Sequence, residues 1–482
     1  YDFTNANTVT VLDPASPLPA GAPAADGSLL LDTIDVTAGS TGGAAAAAEA
    51  ADLPYTTPGS SSYISAEQIE RFRGAAPGDI FKGTPGVIAA GNHNGAKLDI
   101  NIRGMQGQNR VKVAIDGTQQ ASTTWRGYIG VDERVYIDPD LIGGVTVEKG
   151  PTSGAEGAGT PGGVVSIRTL SAQDIVQEGE EVGLRLRVGT SDNAIAPPHA
   201  PTYDQRTDAP SFFDFENGSG SLAFGVTKES YDLVVAAARR ETGNYFAGSE
   251  GDDTHYTFNG TRYPLSFTKP GEEVFNSSES TLSGLVKGTF RFDDDHSLQL
   301  GYTHFESQFG ESMGSLFFQQ DNGFRQVKLS DIVTDTYTAR YRWNPADERF
   351  DLTANFWATD VSGTTRAVAA ALGGLEQYGY IPADEPRYSE VLTYGADATN
   401  ISRFQTEFGA LRFDYGASYV IEDMDGDEYC SRIFTRDRCV WLQPSIGKRE
   451  IGSLFSSGEW TANDWLTFHA GLRYDTYRLE DN

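Results

Sequence analysis

The sequence predicts a mainly β protein: a small α+β unit followed by a large antiparallel sheet of transmembrane β-barrel type. Three observations predict it. From Glu181 onward apolar residues alternate with polar or small ones, as in Leu184-Leu186-Val188 and Leu298-Leu300-Tyr302, with the period of two that a strand imposes. Short turns alternate along the same half with connections of about 25 to 35 residues, and tight turns on one side with long loops on the other are the rhythm of an outer-membrane barrel. Composition agrees: 54 Gly, 22 Tyr and 26 Phe against 3 Met in 482 residues suit half-exposed strands better than helices around an oily core.

Taken in order, the first element is Tyr1 to Pro14, an alternating stretch ending in proline that reads as the tail of a small domain. An Ala/Pro/Gly/Ser linker follows, holding one β-prone island: Asp32, Thr33, Ile34, Asp35, Val36, Thr37 and Ala38. An exposed, unpaired segment of this kind on a tether suits strand addition to the sheet edge of a partner. Ser65 with Gln68 forms a capping-box pattern that opens a short helix to Arg73, and Thr84-Pro85-Gly86 stops a further helical turn begun at Asp79.

Leu98 to Gly117 organises the α+β unit. Two alternating runs, Leu98-Ile100-Ile102 and Val111-Val113-Ile115, are expected to be strands joined by a turn at Gly104 and Gly107, with Asp116-Gly117 supplying a positive-φ end. A closing strand is expected at Gly162 to Arg168, another at Val145 to Lys149, and polar loops at Ile88 to Gly95 and Thr118 to Val135. The divisions that follow are a tail at 1–14, a linker at 15–58 containing 32–38, the α+β unit at 59–172, and barrel strands over 178–482.

In the second half, alternation recurs at Leu222 to Val226, Thr336 to Trp343, Leu352 to Trp357, Leu411 to Tyr419 and Leu466 to Tyr474. Turns fall at Lys228 to Ser230, Asp293 to Asp295, Asn344 to Asp347, Phe408-Gly409 and Asn463-Asp464. About eleven strands of about ten residues result, the length that crosses a bilayer when tilted. A β-sandwich or propeller would not place the long loops on one side.

Other classes are excluded by charge and motif. A formal charge of -30 leaves no surplus of Lys and Arg for phosphates, so nucleic acid is not a partner. Acidic residues cluster at Glu250 to Asp253 and Glu422 to Glu428, both read as solvated loops. No stretch of about 18 apolar residues is present to form a membrane helix. Gly150 to Gly163 lacks the Gly-Lys-Ser/Thr of a phosphate loop, and no metalloprotease pattern or nucleophile elbow appears, so no catalytic residues are assigned. Cys430 and Cys439 enclose a short hydrophilic stretch and read as a loop disulfide of an oxidising compartment.

Six motifs in order resemble those of the TonB-dependent outer-membrane receptors: Thr84-Pro85-Gly86-Val87, Asn101-Ile102-Arg103-Gly104, Ile115-Asp116-Gly117, Ile137-Asp138-Pro139, Lys149-Gly150-Pro151 and Gly162-Gly163-Val164-Val165. The resemblance implies that Asp32 to Ala38 is a TonB box, bound by TonB with ExbB and ExbD from a periplasmic N-terminus. It implies that the α+β unit is a plug inside a barrel of about 22 strands, of which this chain would hold the first half. Arg103 and Lys149 would make plug–barrel electrostatic contacts. Tyr1 to Pro14 resembles the end of a periplasmic signalling domain, which adds an anti-sigma factor as partner.

Within that family the wording of Asn101 to Arg110, with Ile137 to Leu141 and Val165 to Leu170, is most similar to the heme and hemophore receptors. The implied cargo is heme, transported rather than kept as a cofactor, with His93 at the plug apex as candidate axial ligand to its iron; no other metal site is expected. Asn92, Asn94, Gln119, Gln120, Trp125, Arg126 and Tyr128 are the implied apical ligand contacts, and in the alternative of a ferric siderophore receptor Trp125, Arg126, Tyr128 and the Gln119-Gln120 pair would line an anionic chelate site. A passive porin or adhesin barrel is the rival from another class. Of the other histidines, parity puts His304 on the lipid face and His469 inward, His199 and His255 lie in long loops, and His296 sits in a turn.

Overall fold

The computed structural model describes residues 51–52, 54–55, 59–72, 74, 76–91, 95–107, 110–125, 131–191, 193, 195–211, 217–250, 255–264, 268–311, 325–366, 386–426 and 446–481. The expected tail at 1–14 and the 32–38 segment lie outside these residues.

The plug begins with β1 (Ser61–Ser65) and helix α1 (Ala66–Arg71). Ser65 Oγ accepts from the Gln68 N–H at 3.3 Å, and Gln68 Oε1 accepts from the Ser65 N–H at 3.1 Å, closing the predicted capping box. The strands that follow are β2 (Val87–Ala89), β3 (Ile100–Ile102), β4 (Met105–Gln106), β5 (Val111–Ile115), β6 (Ser122–Trp125), β7 (Val131–Arg134), β8 (Ile142–Glu148) and β9 (Gly163–Thr169). The main sheet runs β1-β8-β9-β5, with β5 parallel to β9 and the other pairs antiparallel.

This corrects the expected hairpin between the two central runs. Arg103 (φ 51°) and Gly104 (φ 91°) form a two-residue loop of left-handed residues, so the chain returns as β4 upon β3, and among the described residues β3 pairs with β2 and β4 alone. Freed from β3, β5 crosses to the other sheet. There Gly163 (φ 131°) lets β9 pass the β8 backbone, where a Cβ would stand 2.0 Å from the Glu148 carbonyl oxygen. Ile100, Ile102, Val111, Val113, Val147, Val165 and Ile167 fill the space between these strands and are fully buried. Each contributes about 1.5–3 kcal/mol of burial.

The second unit is one eleven-stranded sheet, β10 (Val182–Gly189), β11 (Ser219–Thr227), β12 (Tyr231–Thr242), β15 (Glu279–Arg291), β16 (His296–Phe309), β17 (Ser330–Trp343), β18 (Leu352–Arg366), β19 (Pro386–Thr406), β20 (Gly409–Gly426), β21 (Gly447–Asn463) and β22 (Leu466–Asp481). Every pair is antiparallel, and only β12 with β15 skips a segment, the loop hairpin of β13 (His255–Phe258) and β14 (Thr261–Pro264).

Its strands outrun the expected length. β19 has 21 residues, so beyond the roughly ten that cross the hydrocarbon the ladder continues as a rim. This also corrects the acidic segment at 422: β20 continues to Gly426, and Glu422 points inward, wholly buried. No helix among the described residues is long and apolar enough to cross a membrane.

Parity divides the sheet's two faces. Leu186, Leu300, Phe356, Leu454 and Leu472 point outward and are exposed, with no second sheet among the described residues covering them, while Ser283, Phe305, Thr359 and Ser453 point inward and are buried against the plug side. An apolar outer belt over a polar lumen is what a lipid-embedded wall requires. Leu454→Arg, at mid-strand on the outer face, is therefore expected to cost about 2–4 kcal/mol in lipid-reconstituted folding titrations. A cost near zero would show that this face does not meet hydrocarbon.

Candidate functional site: the plug apex and its contacts with the wall

The plug meets the wall in two chemically different ways. On the β11–β15 side, Leu141, Leu170 and Ile175 pack against Ala223, Val234, Ala236, Ala238 and Leu285. The small alanines leave room for the 3-10 turn at Pro139–Leu141, which Asp138 caps by accepting the Asp140 N–H at 2.8 Å. Arg185 donates to the Asp140 carbonyl oxygen at 3.0 Å, and Arg240 stands 3.7 Å from the Asp140 carboxylate.

Beside this patch Asp116, with φ 48°, directs its carboxylate to Lys287 Nζ at 2.7 Å and accepts from the Thr169 N–H at 3.0 Å and the Thr169 hydroxyl at 2.5 Å. Burial alone would push the Asp116 carboxyl up. The Lys287 charge and these hydrogen bonds outweigh it and hold the group below the usual carboxylate range.

At the apex the contacts are polar. Arg134 of β7 pairs with Glu311, just beyond β16, at 2.7 Å, with both side chains almost wholly buried. Gln119 donates to Glu422 at 3.1 Å, and Glu422 also accepts from Arg449 at 2.7 Å. Tyr136 tilts against Phe305 with ring centroids 5.8 Å apart, at the centre of an apolar cluster shared by plug and wall. Burial, followed by the nearby Asp99, pushes the Glu133 carboxyl well up; burial also pushes the Lys112 ammonium down against the pull of Glu156 and Glu422.

These positions correct several expectations. Gln119 and Gln120 are not open ligand contacts: Gln120 donates to the Tyr136 carbonyl oxygen at 2.9 Å and accepts its N–H at 2.7 Å, acting as a substitute ladder partner for an unpaired strand end. The loop that carries them contains the β6–β7 hairpin, closed by Trp125 opposite Val131. Arg103 and Lys149 donate to Ser60 Oγ and Ser62 Oγ, each at 2.7 Å, so within the described residues both brace the plug's own entry strand, and their expected contacts with the barrel stay a proposal. Asn92, His93, Asn94, Arg126, Tyr128, Cys430 and Cys439 lie outside the described residues. Of the remaining histidines, His304 points outward and bonds Asp335 at 2.9 Å, and His199 lines an external cleft with Gln308, Gln326 and Asp331.

One assembly had no signal in the sequence. Glu273, fully buried, accepts from Arg206 Nε at 2.7 Å and from Asn244 at 2.8 Å; Asn244 also donates to Gln326 at 2.9 Å, and Asn276 donates to the Arg325 carbonyl oxygen at 2.9 Å. This network ties together the external loops that follow β10, β12 and β16. Its members are spaced over more than a hundred positions, so no local pattern announces them.

The TonB-dependent Receptor Plug Domain family matches residues 54–164. Among curated proteins, the hemophilin receptor of Acinetobacter baumannii is 32% identical over 469 residues, covering 89% of this chain and 44% of the relative. The hemin receptor of Yersinia pestis is 23% identical over 410 residues, covering 84% and 49%. Among solved structures, the Serratia marcescens hemophore receptor HasR, in complex with its hemophore HasA and heme, superposes with a TM-score of 0.68 at 24% identity, covering 89% of this chain and 53% of that one. The FrpB iron transporter of Neisseria meningitidis gives 0.60 at 18% identity, covering 87% and 58%. The chain thus spans about half the length of the curated relatives it matches. With the plug match, the plug's seat against a wall of strands and these relatives together, the chain carries a plug domain of the TonB-dependent receptor type and is similar in sequence and fold to TonB-dependent receptors.

Proposed function

We propose that the protein is an outer-membrane importer of heme, free or delivered by a hemophore. The observation that carries this is the 32% identity to a hemophilin receptor, running through both plug and wall. Cargo docks on the external loops and the plug apex, where His93 supplies an imidazole to the iron. Energy arrives through Asp32 to Ala38, taken up as a strand by TonB with ExbB and ExbD on the periplasmic side. The chain forms and breaks no covalent bond in the cargo, and the tail at 1–14 would couple occupancy to an anti-sigma factor.

The test is growth of a heme-requiring, receptor-deficient Gram-negative strain carrying the intact protein. Hemin is expected to support growth and a ferric siderophore is not; the reverse result would reassign the cargo. Deleting Asp32 to Ala38 is expected to abolish growth on hemin while hemin binding to cells persists, and growth surviving the deletion would make the barrel a passive one. His93→Ala is expected to weaken hemin binding about tenfold or more, the effect of losing an iron ligand or its support. Unchanged affinity and an unchanged heme spectrum would remove His93 from the site.

A further inference from the structure

The buried network around Glu273 frames a cleft. Gln326 accepts through Oε1 from the Asn244 amide at 2.9 Å and from the Asn276 N–H at 3.1 Å, and its own N–H donates to the Thr202 carbonyl oxygen at 2.9 Å. The segment after β10 is thereby fixed against the segment that enters β17. Between them lies a cavity of about 420 Å³, within the range of small-ligand sites. Pro197, Pro198 and His199 line it from the first segment, Lys328 from the second, and Gln308 of β16 and Asp331 of β17 from the wall.

The height of the cleft on the wall identifies its surroundings. Gln308 and Asp331 are a cross-strand pair of the outer face, and both are exposed. Down the same ladder and face come His304 with Asp335, then Tyr302 with Tyr337, whose ring centroids lie 5.1 Å apart. His304 Nδ1 bonds the Asp335 carboxylate at 2.9 Å, and the Tyr302 hydroxyl donates to it at 2.6 Å. Ionisable groups facing lipid are expensive within hydrocarbon, so this rung marks the headgroup level, with the tyrosines as its girdle. The cleft stands four residues higher, about 13 Å along the strand, in the layer that the sugars of an outer-leaflet glycolipid occupy.

We propose that this cleft is a carbohydrate site that holds the core sugars of that glycolipid. Its polar groups balance charge rather than concentrate it: Lys328 offers donors, Asp331 offers acceptors, and the Gln308 amide and His199 imidazole offer both. Such a set suits a polyhydroxylated ligand and gives neither an anion nor a cation the advantage. The half-buried Pro197 and Pro198 rings add flat apolar surface for the C–H face of a sugar ring. The Glu273 network holds both segments in place before a ligand arrives, which lowers the ordering cost of binding. The site needs only the outer-membrane setting and is independent of the cargo.

The test titrates the intact receptor, purified in detergent, with a rough-type lipopolysaccharide carrying its core sugars, with the water-soluble deacylated core oligosaccharide, and with lipid A lacking those sugars. The first two are expected to bind about tenfold or more tighter than the third, and EDTA is expected to leave both unchanged. Gln308→Ala with Asp331→Ala is expected to weaken both about tenfold, with an unchanged β-sheet circular dichroism spectrum as the check on folding. Glu273→Ala, which releases the two segments, is expected to weaken both similarly while lipid A binding stays constant. Asp331→Asn, which keeps an acceptor, is expected to stay within about threefold of wild type. Lipid A binding as tightly as the core-bearing lipid would reduce the contact to acyl chains and phosphates and overturn the proposal. Undiminished affinity in the double variant would do the same. So would loss of binding in EDTA, the mark of a cation bridge, or displacement of the oligosaccharide by hemin, which would give the cleft to the cargo.

Discussion

Asp116→Ala is expected to loosen the plug from the wall by about 3–5 kcal/mol, the usual cost of stranding one member of a buried ion pair. Lys287 would be left inside the lumen facing a vacancy, with its only salt-bridge partner, 2.7 Å away among the described residues, removed. The double variant Asp116→Ala/Lys287→Met is expected to recover most of the loss, because a pair replaced by apolar groups escapes the desolvation penalty of both. Urea titration followed by hydrogen exchange at Val111 to Ile115 reads plug release directly. A single variant no weaker than the double would show that the pair contributes nothing.

The same carboxylate gives a pH dependence. Its folded-state pKa lies below the ordinary value, so its contribution is complete above about pH 4, the unfolded carboxylate's range, and is lost as pH falls through the depressed folded value. Plug seating is therefore expected to be flat from neutral pH to mild acid and to weaken only below that, and Asp116→Asn should remove this acid limb.

Glu273→Ala carries the second large effect, confined to the external loops. It removes the acceptor for Arg206 and for Asn244, both held by a carboxylate with no solvent access, and Asn244 in turn orients Gln326. Losing charged hydrogen bonds of this kind costs about 3 kcal/mol of local stability, which raises the open fraction of the loops about a hundredfold. Limited proteolysis within 195–211 and 268–278 is expected to accelerate accordingly, while melting of the strand wall stays unchanged. Equal loop protection in the variant would mean that packing rather than the network holds the loops. Glu273→Gln, which keeps an acceptor for Asn244, is expected to lose about half as much.

What could be read in the sequence divides along the range of the interactions involved. The wall was legible because a half-buried strand writes its period into neighbouring residues, and Leu184-Leu186-Val188 or Leu298-Leu300-Tyr302 need no distant partner to show which face they take. The capping box at Ser65 and the left-handed Asp116-Gly117 end were legible for the same reason. The pairing of β5 was not: whether Val111 to Ile115 joins β3 or β9 depends on strands fifty residues apart, and the decisive left-handed Arg103 is a residue type that seldom adopts that conformation.

The site was harder still. Gln119, Gln120 and Glu422 look like loop polarity in one dimension, and only the folded contacts show them spent on Arg449 and on the Tyr136 backbone. Lys112 sits within an alternating run that reads as ordinary strand, and its burial near Glu156, Glu422 and Arg449 becomes visible only when the wall is placed beside it.

The strand wall is a meander: nearly every ladder joins a strand to its successor. Such a surface can zip hairpin by hairpin, each step closing only a short loop, so it grows quickly and from one end. The plug cannot follow that rule, since β5 must find β9 across the intervening chain and its apex must meet Glu311 and Glu422, made far later in synthesis. The slow element is thus translated first and enclosed last. During biogenesis Lys287 and Arg240, whose carboxylate partners Asp116, Asp138 and Asp140 lie on the plug, would line an empty lumen until the plug arrives, making its capture an electrostatic docking step whose rate should fall as salt is raised.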